Sequence, residues 1–567
     1  MKERRVTIRG LVPLVLCASA AARMHQAGKA AFSNHSRFGW GSRSRGSTLR
    51  ASENTAAGRR VRSRITVAYG RRYRDSPVAL KFSSSSAADA DDDLDAIVKA
   101  AVQALPRKPR VAVVGAGFAG LATAYHLAAF GSDVTVFDPN EAGAASASSV
   151  AAGLLHPLTP RGKLIWKGEE GFKAAKHLIE TVNAKLAADD DGASGGDAGC
   201  DGQGLGLRGC LTTDKVYRPL MDDKQLELFT TAARDLPQWV QSLTREELME
   251  AVPGSNANCR GGVLIRGALA VDAPAYLRGL WASIRGLVNA SARVGDGGSS
   301  GGDGSGSGNG SATWVRQKVV DVHALADSGE FSAVVACVGA GVKVLAGVKD
   351  IVSLRFVRGQ SLLYENTRTP PGGGAGGTGR VADAAGAASK EGAAAAAAAG
   401  AGSDDGSGGR LLQSAVLAGQ YVVPAGVDKA GAAGGNGGKI ILGSTQEHVM
   451  SGQPVDNPPD VAKALRQLRP KVAEFFPALE DVEPIGVTSG VRVIQDRNSV
   501  GRIPIAGRLP FSERGWVIAA LGARGLIHHA YLGRLVAACA LLDSDERLPP
   551  QVMAPLEDLG KEATGDL

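Results

Sequence analysis

Two short apolar runs flank a glycine-rich turn in the first quarter of the chain, and this pattern restricts the fold most strongly. Val111–Val114 leads into Gly115, Gly117 and Gly120, spaced as G-x-G-x-x-G, and the second run ends at Asp138. Strand, glycine turn, helix and strand in this order indicate a βαβ unit. Free N–H groups at such a helix start bind a pyrophosphate, and the terminal acid hydrogen-bonds a ribose hydroxyl. The pattern therefore predicts a dinucleotide-binding domain.

The stretch that follows favours FAD over NAD as the dinucleotide. It reads ASASSVAAGLLHP over residues 145–157, so small hydroxyl residues precede a glycine. Such residues suit a loop that crosses close under a phosphate and a flat ring. The run resembles the ASSAAAGM-type segment of glycine oxidases, in the D-amino-acid-oxidase-like superfamily of FAD-dependent oxidoreductases, where it lies along the pyrophosphate and flavin. An ordinary Ser/Ala loop in an alanine-rich protein is the alternative.

The C-terminal part of the chain resembles the same superfamily. Gly490-Val-Arg492 and Asp496 precede a P-x-x-G motif at 504–507, and 515–526 then leads into a helix pattern. This order is similar to the superfamily's closing pattern of G-x-R, D…P-x-x-G and a glycine-rich turn into the last helix. The turn at 520–526 is most similar to the flavin half of the bacterial enzyme that finishes methylaminomethyl wobble uridines in tRNA. The resemblance implies a plant or algal organellar branch.

Three side chains are predicted to hold substrate. Superfamily members that oxidise amino acids hold the substrate carboxylate with an arginine and a tyrosine, and the resemblance places Arg492 and Tyr421 at these positions. Arg524 lies near a second arginine that some members use. A guanidinium fork matches a carboxylate bidentately, although a structural ion pair is the alternative for either arginine and an ordinary strand aromatic for Tyr421. Three histidines are interpreted as packing or hydrogen-bonding residues: His156, His528 and His529.

The last glycine turn is predicted to lie against the flavin. Gly522 and Gly525 let the backbone approach the ring, and N–H groups at the helix start carry a partial positive charge that stabilises a reduced flavin. No cysteine lies near Arg492, so the FAD is expected to be noncovalent. The predicted cofactor contacts are Gly115, Gly117, Phe118, Ala119, Gly120, Asp138, Ser148, Ser149, Gly153, Leu154, Gly339, Gly522, Arg524, Gly525 and Leu526.

Residues 1–80 differ in composition from the rest of the chain. They hold 17 Lys and Arg, 15 of them Arg, against three acids, whereas the remainder has 47 basic and 53 acidic residues. A leader that is rich in Arg, Ser and Ala and poor in acids is typical of a disordered organelle transit peptide. The apolar run at 11–22 is the alternative, as a secretory segment too short to span a bilayer. The resemblance favours the chloroplast, with the mitochondrion as alternative.

The predicted fold class is α/β. A Rossmann-like FAD-binding domain of the glutathione-reductase type is interleaved with a substrate domain built on an antiparallel sheet. The predicted segments are a linker and short helix at 81–109, FAD-binding parts at 110–260 and 261–350, a substrate domain at 351–490, a closing FAD-binding segment at 491–545 and a tail at 546–567. Four low-complexity inserts are predicted to be disordered: 187–206, 295–311, 372–409 and 430–438.

Several classes of protein receive little support from the composition. The slightly acidic body has no basic stripe, which argues against a nucleic-acid partner. No further apolar run has the length of a membrane span. The six cysteines show no C-x-x-C spacing, so buried reduced thiols and no metal site are expected.

The sequence therefore predicts an oxidoreductase that oxidises a C–N bond of a small amino acid or amine. Hydride would pass to flavin N5, and oxygen would reoxidise the flavin to give hydrogen peroxide. Two other classes stay open, namely a flavin-holding organellar assembly or interaction factor and a tRNA-modification oxidase.

Overall fold

The computed structural model describes twelve ranges of the chain: 63–67, 78–82, 90–193, 209–294, 311–346, 348, 354–367, 411–426, 438–449, 457–496, 501–510 and 512–564. The α-helices are α1 (Ala90–Gln103), α2 (Phe118–Ala129), α3 (Gly168–Ala193), α4 (Asp223–Asp235), α5 (Arg245–Ala251), α6 (Ala273–Val294), α7 (Val322–Asp327), α8 (Val461–Ala473), α9 (Gly525–Leu542) and α10 (Pro550–Thr564). Short 3-10 helices cover Gly339–Lys343, Pro477–Leu479 and Gly522–Arg524.

The strands are β1 (Ser63–Val67), β2 (Val78–Phe82), β3 (Arg110–Val114), β4 (Asp133–Phe137), β5 (Leu154–Leu155), β6 (Leu211–Thr213), β7 (Val216–Pro219), β8 (Val240–Leu243), β9 (Gly262–Ile265), β10 (Leu269–Val271), β11 (Ala312–Val315), β12 (Ala333–Ala336), β13 (Leu354–Asn366), β14 (Ala415–Ala418), β15 (Gln420–Ala425), β16 (Gly438–Gly443), β17 (Glu447–Val449), β18 (Gly486–Gln495), β19 (Ile505–Arg508) and β20 (Gly515–Ala519).

A six-stranded sheet forms the dinucleotide-binding part, in the order β11-β4-β3-β12-β20-β19. Its first five strands are parallel, and β19 closes the edge antiparallel to β20. Strand β12 is fully buried, as expected for a strand covered on both faces. The glycine turn follows β3, which lies between β4 and β12, so the chain leaves the sheet there at a point where the strand order reverses. The Rossmann-like prediction is confirmed.

Helix α9, near the C-terminal end of this domain, packs against α2. A Cβ atom at Gly533 would lie 3.0 Å from the backbone N of Thr123, so the two helices approach closely. Among the described helices, the stretch Gly522–Leu542 alone has the length and hydropathy of a membrane span. In its most apolar part, 83% is buried inside the fold. The prediction that no apolar run after the leader has the length of a membrane span is therefore wrong for this stretch, whose apolar residues pack in the core.

A nine-stranded sheet forms the second layer. Its order is β17-β13-β16-β15-β14-β7-β9-β8, and β18 pairs along β13. All pairings are antiparallel except that of β14 with β7. One face packs on α8, where Leu362 and Tyr364 of β13 share a core with Leu468 and Val472. The other face turns toward the dinucleotide-binding part.

The segment boundaries needed three corrections. Strands β7, β8 and β9 lie in the nine-stranded sheet, not in the FAD-binding parts predicted at 110–260 and 261–350. Short buried apolar strands of the two sheets have the same sequence pattern, so periodicity cannot assign them. The predicted tail contains α10, whose Leu556 packs in the core beside β19. The predicted disordered leader contains β1 and the first three residues of β2, and these two strands pair antiparallel.

The insert boundaries also shift. Helix α3 continues to Ala193, past the predicted insert start at residue 187, and β16 begins at Gly438, the predicted end of another insert. The remaining insert residues, apart from residue 311, and the leader outside β1 and β2 lie outside the described residues. The prediction of buried reduced thiols is confirmed for four cysteines: Cys210, Cys259, Cys337 and Cys539.

Candidate active site

The first glycine turn is fixed by contacts that exclude a side chain. Gly115 has a φ of +99°, and its N–H donates to the Phe137 carbonyl at 2.8 Å. A Cβ atom there would lie 2.5 Å from the Cys337 carbonyl oxygen, and one at Gly120 would lie 1.8 Å from the Gly115 oxygen. The turn therefore holds the start of α2 tightly over the ends of β3 and β12.

Gly117, Phe118 and Ala119 form the start of α2, with Gly117 at the N-cap position. The Phe118 N–H donates to Ser148 Oγ at 3.1 Å, so the Ser/Ala loop reaches this helix end. Accepting that bond leaves the Ser148 hydroxyl proton available for a phosphate oxygen. A helix N-terminus with a hydroxyl beside it fits a pyrophosphate.

Asp138 lies directly after β4, beside the same turn. Its Oδ2 accepts the Ala116 N–H at 2.9 Å, and its Oδ1 accepts the Asn140 N–H at 2.9 Å. A carboxylate oxygen has more than one acceptor site, so each oxygen can still accept a ribose hydroxyl. The position fits the predicted contact.

The Ser/Ala loop is ordered by its own hydrogen bonds. Ser146 and Ser149 exchange backbone-to-hydroxyl bonds of 2.9 and 3.0 Å. Gly153 has a φ of +70°, and a Cβ atom on it would lie 1.9 Å from the Val271 carbonyl oxygen. The structure therefore explains Gly153 by its packing on β10, while Leu154 begins β5.

A second and a third glycine turn leave the same edge of the parallel sheet. Gly339 follows β12 with a φ of +52°, and no atom lies within 4 Å of its Cβ position. A Cβ atom on Gly525 would lie 3.7 Å from Phe118 Cδ2 at the start of α2. Because carboxyl ends of parallel strands meet at one edge, these turns surround one site. The residues present fit FAD.

The turn after β20 is locally strained. Ala520 has a φ of +56°, a conformation that costs a residue with a Cβ atom roughly 1–2 kcal/mol. Gly522 has a φ of +58°, and a Cβ atom on it would lie 2.7 Å from Ile494 Cγ2 of β18. Arg524 is half-buried and Leu526 is buried at the start of α9. The cofactor turn thus contacts the substrate sheet.

Strand register brings the predicted substrate residues onto one face of the nine-stranded sheet. Directly paired residues point to the same side. The pairs are Val357 with Arg492, Gly359 with Gly490, Ser361 with Thr488, Ser361 with Gly443, and Gly443 with Tyr421. Three glycines therefore alternate with polar side chains on this face, and neighbouring side chains lie over each of them.

Arg492 lies between two contacts with the cofactor loops. A Cβ atom at Gly490 would lie 2.7 Å from Val150 Cγ2 in the Ser/Ala loop, and Ile494 contacts the Gly522 turn. Residues 490, 492 and 494 alternate onto one face of β18. The Arg492 side chain therefore projects from β18 between the pyrophosphate loop and the flavin turn.

The Arg492 guanidinium has no carboxylate partner among the described residues. Its Nη2 donates to the Thr445 carbonyl at 3.4 Å, which is a long contact. Burial lowers the pKa of Arg492, and nearby Tyr421 raises it. Tyr421 Oη lies 3.1 Å from Ser361 Oγ. The alternative of a structural ion pair for Arg492 therefore finds no support in the described part of the chain.

The three histidines occupy different surroundings. His529 lies 2.7 Å from the Tyr276 hydroxyl through Nε2 and 2.7 Å from the Leu526 carbonyl through Nδ1, which is a hydrogen-bonding role. His528 is fully buried, and neither ring nitrogen has a partner among the described residues. Burial, then the charges of Arg524 and His529, lower the pKa of His528 to about 3. Burial, then Arg218 and Arg524, lower the pKa of His156 to about 4.

Lowering the pH from 7 to 5 is expected to destabilise the protein through His528. Its pKa is about 3 in the folded protein and near 6.5 when unfolded, so the unfolded state binds the proton in this range. The free energy of unfolding should fall by about 2 kcal/mol at pH 5 from this group. Unfolding midpoints measured against pH should depend on pH less steeply in His528→Leu. The exposed His448→Leu is the control, and equal slopes in all three proteins would contradict the prediction.

Sequence patterns missed Ser361, Gly359 and Gly443 as parts of this face, and the Thr445 carbonyl as a contact of Arg492. Register between distant strands cannot be read from one sequence, so only the strand-like alternation of the segments signalled these positions. Arg218 of β7 was also missed, since its segment was assigned to the other domain.

Glycine turns around one edge of a parallel sheet, with an arginine-bearing sheet above them, define a dinucleotide-dependent oxidoreductase. The family model for FAD dependent oxidoreductases (DAO) matches residues 110–539. The chain belongs to this family, so it is an enzyme and FAD is its cofactor.

Individual proteins with a known name or structure are also similar to this chain. A glycine oxidase of Pseudomonas aeruginosa is 26% identical over 439 residues, which cover 76% of this chain and 93% of that protein. The glycine oxidase structure from Geobacillus kaustophilus has a TM-score of 0.51 at 19% identity and covers 79% of this chain and 98% of that one. L-proline dehydrogenase from P. horikoshii has a TM-score of 0.51 at 14% identity, covering 81% and 99%. These structures support the fold.

Proposed function

We propose that this enzyme oxidises the C–N bond of a small amino acid or amine. The observation that carries the proposal is the position of Arg492, which is half-buried, lacks a described carboxylate partner and projects between the two cofactor loops. A half-buried guanidinium without a counter-ion favours an anionic ligand. The similarity to a glycine oxidase supports an amino acid as the source of that anion.

The residues of the chain bind and orient the substrate. Arg492 holds the carboxylate, and the Tyr421 hydroxyl, paired with Ser361, limits where the rest of the molecule lies. Glycines 359 and 443 allow the side chains of Arg492, Ser361 and Tyr421 to lie close against the sheet. Positioning of this kind contributes strongly to rate because the reacting carbon is held in one orientation. Bound FAD would supply the acceptor for a hydride from that carbon, and oxygen is the proposed final acceptor, giving hydrogen peroxide.

A peroxide assay tests this proposal. Purified holoenzyme is mixed with glycine, sarcosine, D- and L-amino acids and small amines, while oxygen uptake and peroxide are recorded together. Turnover of at least one amine with equal oxygen loss and peroxide gain is expected. If an amine reduces the flavin under anaerobic conditions but no peroxide forms in air, the proposed amine oxidation stands. The final electron acceptor is then a compound other than oxygen. No flavin reduction by any amine would overturn the proposal and favour a flavin-holding assembly factor.

We also propose that residues 1–80 direct the protein to the chloroplast, with the mitochondrion as the alternative. The support is the excess of 17 basic over three acidic residues in this segment. The segment fused to a fluorescent reporter should bring it into the organelle in plant or algal cells. A fusion that stays in the cytosol or is secreted would contradict the proposal. A fusion with the leader arginines replaced by glutamine is the matched control and should stay in the cytosol.

A further inference from the structure

Arg218 is a buried arginine for which, as for the half-buried Arg492, the described residues supply no anion. The residue is 7% exposed, and its Nε atom has no hydrogen-bond partner there. No described carboxylate lies within 4.0 Å of it. Its guanidinium carbon lies 4.8 Å from the centre of the Phe229 ring, which covers one side of the group. A buried cation is costly unless an anion completes its surroundings.

Strand register places Arg218 on the same sheet face as Tyr421. Tyr217 of β7 pairs with Val416 of β14, so Arg218 lies beside Leu417. Leu417 pairs directly with Tyr421 of β15. Arg218 is therefore two strands away from Tyr421, about 10 Å across the sheet at the usual strand spacing.

His156 lies close enough to Arg218 to be affected by its charge. Burial first, and then the charges of Arg218 and Arg524, lower the pKa of His156. The His156 Nδ1 atom is buried without a hydrogen-bond partner among the described residues. The region therefore offers one buried guanidinium without a described carboxylate partner and one ring nitrogen without a described hydrogen-bond partner. An anion is the ligand that such a set binds.

We propose that Arg218 forms a second anion subsite beside the substrate position, and that the substrate is an amine carrying a second carboxylate besides the one held by Arg492. The inference rests on the proposed function and narrows its substrate class to dicarboxylic amines and amino acids. The first carboxylate lies at the β18 end of the sheet face and the second at the β7 end, with Tyr421 between them.

Matched substrate pairs test the subsite. The pairs are N-alkylglycines and N-(carboxyalkyl)glycines of equal chain length, taken through a series of lengths with the purified holoenzyme. The ratio of kcat/KM for the acid to that for its neutral partner is expected to reach about tenfold to a hundredfold at the best length, the usual effect of one charge-assisted contact. In Arg218→Met the ratio should fall to near one, and Arg218→Lys should keep part of it.

Two further measurements distinguish a ligand-binding role of Arg218 from a purely structural one. The exposed Arg260→Met, on the loop before β9, is the control and should keep the wild-type ratio. The unfolding temperature of Arg218→Met should equal or exceed that of the wild type, because the change removes an uncompensated buried charge. A lower unfolding temperature with an unchanged ratio would assign Arg218 to the scaffold and overturn the subsite.

The outcome also distinguishes the two proposals. If neutral N-alkylglycines are oxidised but the wild-type ratio stays near one at every length, only the subsite is wrong. If no member of either series reduces the flavin, the proposed amine oxidation itself fails.

Discussion

Replacing Gly117 with valine is expected to give a folded but colourless protein that has lost FAD. Gly117 caps α2 where the pyrophosphate would approach, and two methyl groups there would occupy that space. The nearest atom to a Cβ at this position is Ser148 Oγ at 2.9 Å, a side chain that can rotate away, so folding should survive. Flavin absorbance per protein, after purification in excess FAD, should fall to background while far-ultraviolet circular dichroism is retained.

Gly286→Ala is the matched control, because this helical glycine has only the Lys185 side chain near its Cβ position. It should purify yellow, and denaturing it should release the flavin into the filtrate, since a noncovalent cofactor is expected. A Gly117→Val protein that kept a full complement of flavin would refute the location of the pyrophosphate. Flavin that stayed with denatured control protein would refute noncovalent binding.

Replacing Arg492 with alanine is expected to lower kcat/KM for an amino-acid substrate by about tenfold to a few hundredfold, since hydrogen bonds to charged groups contribute roughly 1.5–3 kcal/mol. The change removes the guanidinium that lies between the two cofactor loops, while its long bond to Thr445 contributes little to the fold. Steady-state kinetics with the substrate found in the peroxide assay give the measurement, and the flavin spectrum should be unchanged.

Two comparisons make the Arg492 result specific. The amine that lacks the substrate carboxylate should lose far less activity than the amino acid. Arg492→Lys should restore only part of the loss, because a point charge does not replace a bidentate fork. Equal losses on both substrates would place Arg492 in the scaffold and count against a carboxylate-binding role.

The dinucleotide-binding part was predictable because its determinants are local. Gly115, Gly120 and Asp138 act within one βαβ unit, and their spacing predicts the turn and the helix packing, whereas the bond of Asp138 to the Ala116 N–H was not predicted. The resemblance added the later motifs, of which the strand at 515–519 lies in the six-stranded sheet. The individual roles of the predicted site residues stay predictions.

The substrate sheet was less predictable because its geometry depends on distant pairings. Arg492 was identified, yet its neighbours Gly359 and Thr445 come from strands whose register no local pattern specifies. Arg218 escaped notice because β7 joins β14 across a long stretch of chain, so its sheet face was unknown. The predicted start of the first insert was also wrong, because α3 continues into residues whose composition indicated a loop.

The distribution of the cofactor turns along the chain has a consequence for biogenesis. Strand β3 lies near the start of the folded body, whereas β20 and α9 come near its end, and both contribute to one sheet. Contacts between such distant segments form slowly, because a long loop must close before they are gained. A chain still emerging from the ribosome can build the first βαβ unit but not the complete pocket. FAD binding is therefore a post-translational step, and we expect a chain that lacks roughly the final fifty residues not to bind FAD.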